Sequence, residues 1–306
     1  MSSPWTDQKV LVTGARGFLG ANVAERLTQL RASVFGIVRT PRPSDGEGPI
    51  RFLTADVLDR PALHRIFVEI RPDVVFHLAG KTNASHAKEL VLPAIESNLI
   101  STVQVLSEAL ESGAPRVVVT GSLEEPVPGQ LPAAAISPYA ASKWATSVYT
   151  RMFHALYALP LTIVRPYMTY GPHQNAAKLI PYLAINLLRG TPASVSQPDR
   201  TVDWVFIEDV VEGMLAAALA PQAVGQSIDF GTGELVPIRE IVRLLEQTIA
   251  RRGHVRLQAA DQAVGVAGRR ADVDTPARLL GWKATTPLEA GLAKTVAWFR
   301  DRLSQY

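Results

Sequence analysis

Residues Val12–Gly20 read VTGARGFLG, and the first of them ends the short apolar stretch KVLV (9–12). The three glycines, Gly14, Gly17 and Gly20, permit in turn a tight turn, a close approach of the backbone to a pyrophosphate, and close packing of a helix on a strand. The helix that follows offers unpaired N–H groups and a partial positive charge to an anion. The stretch therefore predicts a dinucleotide-binding loop between a strand and a helix.

The first 165 residues alternate short apolar runs with longer amphipathic ones, which predicts a doubly wound parallel sheet of the Rossmann type, in the α/β class. Right-handed crossovers bring the carboxyl ends of such strands to one edge, where ligands bind. The predicted strands are Val10–Thr13, Val34–Val38, Ile50–Ala55, Val74–Leu78, Arg116–Thr120 and Leu161–Arg165. The predicted helices lie near Leu19–Leu30, Ala62–Ile70, Ala94–Ser112 and Tyr139–Ala158.

After Arg165 this alternation ends, and proline and glycine interrupt the sequence RPYMTYGPHQ. Later stretches, including Leu179–Arg189, predict further helices in a smaller, mixed α/β domain. We expect a dinucleotide-binding domain over residues 1–165, to which 205–230 returns. Residues 166–204 and 231–306 are expected to form a substrate-binding domain.

Composition excludes several classes of function. The 306 residues carry a net charge of +3 with no basic run, which argues against binding of nucleic acid. There are no cysteines, so disulfides, thiol catalysis and cysteine-ligated metals are excluded, and no metal site is expected. The N-terminus has no signal-peptide pattern and the apolar runs are shorter than a membrane span. These features predict a cytoplasmic protein without a membrane segment.

The second predicted strand leads into VFGIVRTPRP, Val34–Pro43. Arg39 lies nineteen residues after Gly20, where an acid commonly binds the ribose 2′-hydroxyl and an arginine accommodates a 2′-phosphate. Arg42 offers a second fork-shaped contact, and no acid occurs before Asp45 and Glu47. The alternative is a solvated arginine that ends the strand. The pattern favours NADP(H), with NAD(H) as the open alternative.

The stretch SPYAASKWA places Tyr139 and Lys143 four residues apart at the start of a helix, on one face. A phenol with a pKa near 10 needs a nearby cation to shuttle protons at neutral pH, and Lys143 supplies one. An exposed helical pair is the alternative interpretation. The glycine loop upstream favours a catalytic pair.

Taken together, VTGARGFLG, ADVLD, HLAG and Tyr-x-x-x-Lys resemble the extended branch of the short-chain dehydrogenase/reductase superfamily: sugar-nucleotide epimerases, dehydratases and reductases. The resemblance implies that Ser122 orients the reacting sugar oxygen beside Tyr139, with Thr120 as the competing hydroxyl. The cofactor residues that it and the loop indicate are Gly14, Arg16, Gly17, Phe18, Leu19, Gly20, Arg39, Arg42, Asp56, Val57, Leu78, Ala79, Gly80, Asn98, Tyr139 and Lys143.

Glu124 lies two residues after Ser122, where sugar-nucleotide dehydratases of this superfamily keep a glutamate base. Many of them have an aspartate acid just before it, whereas this chain has Leu123. Epimerases and reductases also carry glutamate at the later position. Glu124 is therefore a candidate acid or base that does not by itself indicate dehydration.

The stretch from Leu161 to Gly190 resembles the family's turn into the sugar-nucleotide pocket. Met168 and Val202 depart from the pattern, because relatives usually have a diphosphate-contacting asparagine and often an arginine there. The candidate substrate residues are Thr82, Ser122, Tyr167, Lys178, Arg200, Arg269 and Arg270.

These observations lead to one functional hypothesis and several alternatives. We expect an NADP(H)-dependent reductase of a keto-sugar nucleotide, such as an NDP-4-keto-6-deoxyhexose, with Tyr139 as proton donor. A sugar-nucleotide 4-epimerase is the first alternative and a 4,6-dehydratase the next. A non-enzymatic NADP(H) sensor or scaffold is the alternative from another class. The resemblance also implies a homodimer formed by the helices near Ala94–Ser112 and Tyr139–Ala158.

Overall fold

The protein is described by a computed structural model that covers residues 3–113, 116–126, 137–258 and 268–306. A seven-stranded sheet with the order β11-β6-β5-β4-β1-β2-β3 organises the N-terminal part, and the pairs among β1 to β6 are parallel. Its strands are β1 (Lys9–Thr13), β2 (Ser33–Val38), β3 (Ile50–Thr54), β4 (Val74–His77), β5 (Arg116–Thr120), β6 (Leu161–Pro166) and β11 (Ser227–Phe230). The predicted Rossmann-type fold class is confirmed.

Helices connect these strands and cover the sheet. They are α1 (Phe18–Gln29), α2 (Arg60–Ile70), α3 (Val91–Ala94), α4 (Ser101–Glu111) and α5 (Pro138–Tyr157). The central strands β1, β4 and β5 are buried almost throughout, as expected for parallel strands with helices on both faces. Apolar side chains such as Leu11, Phe67 and Leu106 form the core between the layers.

Between α3 and α4 the helix continues through a π-helical turn, Ile95–Ile100. This turn buries Asn98, which is 1% exposed. By length and mean hydropathy, Lys88–Glu111 is the one helix in the described part of the chain that could span a membrane, and core helices of globular proteins meet the same criteria.

A second set of elements follows β6. The strands are β7 (Met168–Tyr170), β8 (Ala193–Ser196), β9 (Thr201–Val202), β10 (Trp204–Phe206), β12 (Val236–Pro237) and β13 (Val255–Gln258), which pair only in twos. The helices are α6 (Leu179–Arg189), α7 (Ile207–Leu219), α8 (Ile238–Ile249), α9 (Asp274–Leu280) and α10 (Leu288–Asp301). The buried carboxylate of Asp203 accepts hydrogen bonds from the backbone of Thr232, Gly233 and Ala271, and so fixes two loops.

Residue contacts divide the chain into two compact units, residues 1–165 with 213–228, and residues 166–212 with 229–306. The sequence-based boundary had the chain return to the first unit at 205. In the structure β10 pairs with β7 inside the second unit, and Asp209 at the start of α7 accepts hydrogen bonds from Thr285 and Thr286. These bonds keep the first turn of α7 in the second unit.

The glycine loop packs with little space around its backbone. Gly14 has a φ of +67°, and a Cβ there would lie 2.8 Å from the backbone nitrogen of Ala79. A Cβ at Gly20 would lie 2.1 Å from the Gly14 carbonyl oxygen. The first turn of α1 can therefore approach the loop only without a side chain at position 20.

We expect Gly20→Ala to destabilise the protein by about 1–3 kcal/mol, because the added methyl group must push the loop away from α1. Urea unfolding at neutral pH measures the change. Gly48→Ala is the control, since no atom lies within 4 Å of a Cβ at Gly48, and it should change stability by less than about 0.5 kcal/mol. Equal effects of the two substitutions would contradict the close-packing argument.

Candidate active site

The start of α1 has the donors that an anion needs. Its N-cap is Gly17, which has no side chain to cap the helix, and no acidic residue lies in the first turn. The Gly17 N–H donates to the Gly14 carbonyl at 2.8 Å, which closes the loop under the helix. The residues present thus fit the diphosphate of a dinucleotide, held by backbone N–H groups and the helix dipole.

His77, the last residue of β4, is buried and uses both ring nitrogens. Its Nδ1 lies 2.8 Å from Thr13 Oγ1 and its Nε2 lies 3.0 Å from Thr102 Oγ1. Because the Thr102 hydroxyl donates to the Asn98 carbonyl, it accepts from Nε2–H, and Nδ1 accepts the Thr13 proton. Burial first, and the charge of Lys143 second, lower the pKa of His77 to about 3. The imidazole is therefore neutral near pH 7.

The Thr13 hydroxyl fixes the segment that follows β4. Its Oγ1 accepts hydrogen bonds from the backbone N–H groups of Leu78 and Ala79 at 3.1 and 3.2 Å. Since Thr13 immediately precedes Gly14, these bonds join the glycine loop to the Leu78–Gly80 segment that sequence analysis assigned to the cofactor.

Asn98 connects that segment to α5. Its Oδ1 accepts from the Lys81 N–H at 2.9 Å, and its Nδ2 donates to Ser142 Oγ at 2.8 Å. The Ser142 hydroxyl donates in turn to the Tyr139 carbonyl at 2.8 Å. A Cβ at Gly80 would lie 2.7 Å from Asn98 Oδ1, so a side chain here would displace the Asn98 amide. Asn98 therefore fixes the backbone on both sides of the site.

The structure brings Ser122, Tyr139 and Lys143 together. The Ser122 hydroxyl acts on the Tyr139 phenol and lowers its pKa. Lys143 is 6% exposed and donates to the Thr120 carbonyl at 2.8 Å and to Thr120 Oγ1 at 3.1 Å. A Cβ at Gly80 would lie 3.9 Å from Lys143 Nζ, which sets the ammonium beside the predicted cofactor segment.

Burial dominates the electrostatics of this group. It raises the pKa of Tyr139 to about 12; the Ser122 hydroxyl opposes this shift, and the charges of Glu124 and Glu125 add to it. Burial lowers the pKa of Lys143 to about 8, and the charge of Glu125 partly offsets that shift. At neutral pH the tyrosine thus holds its proton while the lysine is mainly charged.

The turn after β5 carries two glutamates in different environments. Glu124 is partly buried; its N–H donates to Ser122 Oγ at 3.1 Å, and its carboxylate accepts from Ser137 Oγ at 3.5 Å. Glu125 is 4% exposed and accepts from the Ser122 N–H at 2.7 Å. Burial raises the pKa of Glu125, while the Ser122 N–H and, among nearby charges, Lys143 lower it. Sequence analysis selected Glu124 and did not consider Glu125.

At the end of β2, Arg39 and Arg42 are exposed, as the position of a strand end predicts. Arg16 of the glycine loop forms an ion pair with Asp45, a residue that the sequence places well beyond the strand. The region predicted to hold a 2′-phosphate thus contains a carboxylate as well as arginines.

The remaining candidates lie at several places. Asp56 is exposed, with Oδ1 accepting from the Leu58 N–H at 2.9 Å, Val57 packs at the core and Thr82 is exposed. In the second unit, the Tyr167 hydroxyl donates to Asp229 at 2.9 Å. Lys178, Arg200, Arg269 and Arg270 also belong to the second unit.

Met168 and Val202, the two residues that depart from the family pattern, both lie in strands of the second unit. Met168 is in β7, in register with Trp204 of β10. Val202 is buried and pairs with Val236 of β12. An apolar residue at position 202 is explained by this burial.

Sequence reasoning missed Thr13, His77 and Glu125. Thr13 lies in VTGARGFLG and His77 begins HLAG, but the two residues are 64 positions apart and no local pattern shows that they are hydrogen-bonded to each other. Their shared position at the carboxyl ends of adjacent parallel strands is the one clue, since β1 and β4 pair with Thr13 opposite His77.

We expect the pH dependence of stability to identify the neutral His77. An unfolded histidine with a pKa near 6.5 takes up a proton on acidification, whereas the folded one, with a pKa of about 3, does not. Between pH 6.5 and 3 the unfolded state therefore binds more protons, and stability falls as the pH falls. From pH 6.5 to 5.0 the wild type should lose about 1.6 kcal/mol more than His77→Gln.

Urea unfolding of both proteins at the two pH values measures this difference. His86→Gln is the control, because His86 is exposed, and it should follow the wild type. Parallel loss of stability in the wild type and His77→Gln would show that His77 titrates normally.

Comparison with known proteins identifies the family. The sequence pattern of the NAD dependent epimerase/dehydratase family matches residues 10–233. The chain is 28% identical to the UDP-glucose 4-epimerase of Mycolicibacterium smegmatis, over 96% of this chain and 99% of that protein. It is also 28% identical to the dTDP-glucose 4,6-dehydratase of Neisseria gonorrhoeae, over 96% of each chain.

A solved structure extends this likeness to the fold. The dTDP-glucose 4,6-dehydratase of Streptomyces venezuelae, with NAD and TYD bound, matches with a TM-score of 0.85 and 25% identity, covering 98% of this chain and 99% of that one. The predicted resemblance to extended short-chain dehydrogenases is confirmed. Because the family pattern covers most of its length, the chain belongs to the NAD dependent epimerase/dehydratase family.

Proposed function

We propose that the protein reduces a keto-sugar nucleotide, such as an NDP-4-keto-6-deoxyhexose, with Tyr139 as the proton donor. The observation that carries this proposal is the group formed by Ser122, Tyr139 and Lys143, in which Tyr139 has a pKa raised to about 12. A phenol that keeps its proton at neutral pH suits donation to a forming alkoxide. Ser122 orients the same oxygen.

When bound, the nicotinamide cofactor supplies the hydride. Lys143 is proposed to hold the cofactor's ribose and to stabilise negative charge on the tyrosine oxygen once its proton has left. Thr120 orients this ammonium through two hydrogen bonds. The backbone of the Gly14–Gly20 loop is proposed to bind the diphosphate.

A 4-epimerase is the second candidate, because a relative named UDP-glucose 4-epimerase matches nearly the whole chain. The same three side chains would then remove and return a proton in one cycle.

A 4,6-dehydratase is supported by the relatives of that name, but Leu123 stands where an acid would be needed. For the substrate we propose a sugar nucleotide, since UDP-glucose and dTDP-glucose appear in the names of these relatives.

We further propose NADP(H) as the cofactor, on the basis of the exposed Arg39 and Arg42 at the end of β2. NAD(H) is the alternative, and the dehydratase of Streptomyces venezuelae was solved with NAD.

Turnover with keto-sugar nucleotides tests the function. We expect the wild type to oxidise one NADPH for each 4-keto-6-deoxy sugar nucleotide that it reduces. The decrease in absorbance of the reduced nicotinamide measures this oxidation. Tyr139→Phe should lower kcat by about 10²–10⁴-fold while the dinucleotide still binds. Tyr306→Phe is the control, because Tyr306 is exposed and lies outside both the candidate site and α5, and it should keep full activity.

Interconversion of UDP-sugars without net cofactor oxidation would instead support the 4-epimerase. Full activity of Tyr139→Phe on the true substrate would remove the catalytic assignment.

We also propose a homodimer formed through α5 and the helical segment Val91–Glu111. These helices pack against each other and expose apolar side chains on the first unit. The exposed residues are Val91, Leu92, Ile95, Ile100, Trp144, Val148, Tyr149, Leu156 and Tyr157. An apolar patch of this extent is typical of a protein interface, and the matching faces suit a second copy.

The double variant Leu92→Glu/Val148→Glu should be monomeric, because it places a charge on each of the two helices of this apolar face. Sedimentation velocity measures the oligomeric state. Val68→Glu on α2 is the control: Val68 is 52% exposed, as is Val148, but lies outside the patch, and its variant should remain dimeric. A wild-type monomer at micromolar concentration would contradict the proposal.

A further inference from the structure

Arg16, in the middle of the glycine loop, does not extend into solvent. Its guanidinium forms an ion pair with Asp45, donates to the Thr40 carbonyl, and lies over the Phe52 ring with 4.9 Å between Cζ and the ring centroid. Both side chains of the ion pair are 19% exposed. Three contacts from the β2–β3 region thus fix one loop arginine.

Asp45 reaches Arg16 through a 3₁₀ turn, Pro43–Gly46, that follows the second strand. Its Oδ2 accepts a hydrogen bond from the Arg42 N–H at 2.7 Å. That hydrogen bond, followed by the guanidinium of Arg16, lowers the pKa of Asp45. The carboxylate is therefore ionised at neutral pH, and the turn sets its position.

Two cations act on this carboxylate: Arg16 of the glycine loop and Arg42, the N-cap of the turn, while Arg39 directly follows β2. Asp45 is the acid that pairs with this group, and Glu47, two residues later, is exposed. A dianionic 2′-phosphate and the Asp45 carboxylate would compete for Arg16, because both bind a guanidinium fork.

We propose that Asp45 is a specificity-determining residue for the cofactor: its ion pair with Arg16 holds this arginine away from a 2′-phosphate and so limits the preference for NADP(H) over NAD(H). The inference rests on the proposed dinucleotide binding. A 2′-hydroxyl carries no charge and does not need Arg16, so Asp45 should leave the affinity for NAD(H) nearly unchanged.

The test measures dissociation constants of NADPH and NADH by calorimetric titration at fixed ionic strength, which is independent of turnover. Asp45→Asn keeps the size of the side chain and removes its charge. We expect it to tighten NADPH binding about tenfold and to change NADH binding by less than about twofold. Glu47→Gln removes one charge from the same loop and should alter neither affinity.

Repeating the Asp45→Asn substitution in an Arg16→Gln variant tests whether the gain in NADPH affinity depends on Arg16. In Arg16→Gln, the added Asp45→Asn substitution should give no further gain in NADPH affinity, because the arginine to be released is absent. A gain that persists in this background, or an equal gain in Glu47→Gln, would mean that general charge acts instead of the ion pair.

Two other outcomes would separate a failure of the Asp45 proposal from a failure of the proposed function. Equal changes for NADPH and NADH in Asp45→Asn, or no change for either, would overturn the role of Asp45 while leaving the proposed function intact. If the wild type bound neither dinucleotide, the proposed function itself would fail, and this inference with it.

Discussion

The hydrogen bonds of one buried imidazole connect the parts of the candidate active site. His77 joins Thr13, which precedes the glycine loop, to Thr102 in α4, and the bond from Thr13 requires a neutral ring with its proton on Nε2. Through Thr13 the same set of bonds positions the backbone after β4, and through Thr102 it reaches the carbonyl of Asn98. A charged or differently protonated ring would leave one of these hydroxyl groups without its partner in a buried place.

From Asn98 the connection continues to the catalytic helix. The π-helical turn places the Asn98 amide against Lys81 on one side and Ser142 on the other. Short π-helical turns within an α-helix are often found at functional sites. Ser142 then bonds the Tyr139 carbonyl, so the start of α5 is held by the same network as the glycine loop. The position of Tyr139 relative to the loop thus depends on hydrogen bonds between buried groups, which have few alternative partners.

Much of this fold can be predicted from local sequence patterns. The features that cannot be predicted in this way share one cause, which is that they depend on contacts between distant residues. Gly14, Gly20 and the alternation of short apolar runs indicate a parallel dinucleotide fold because each acts within a few residues. Tyr139 and Lys143 are equally local, since one helical turn separates them. His77 and Glu125 differ: the first depends on partners 25 and 64 residues away, and the second on how the turn after β5 folds back. Pattern and spacing carry no information on such contacts.

The role of Asp45 also could not be predicted from local sequence patterns, and it illustrates a feature that two parts of the site share. From the sequence, the first acid after the second strand stands too far along to matter, yet a 3₁₀ turn brings it to Arg16. A second acid, Glu125, is buried near Lys143 and raises its pKa. At both places a cation that the proposed chemistry needs has an anion close to it before any ligand arrives. A partly buried arginine or lysine without such an anion would carry an uncompensated desolvation cost. The compensating acids stabilise the unliganded protein, and an anionic ligand must then bind in competition with them, so the same residues that make the site foldable also set which ligands it accepts.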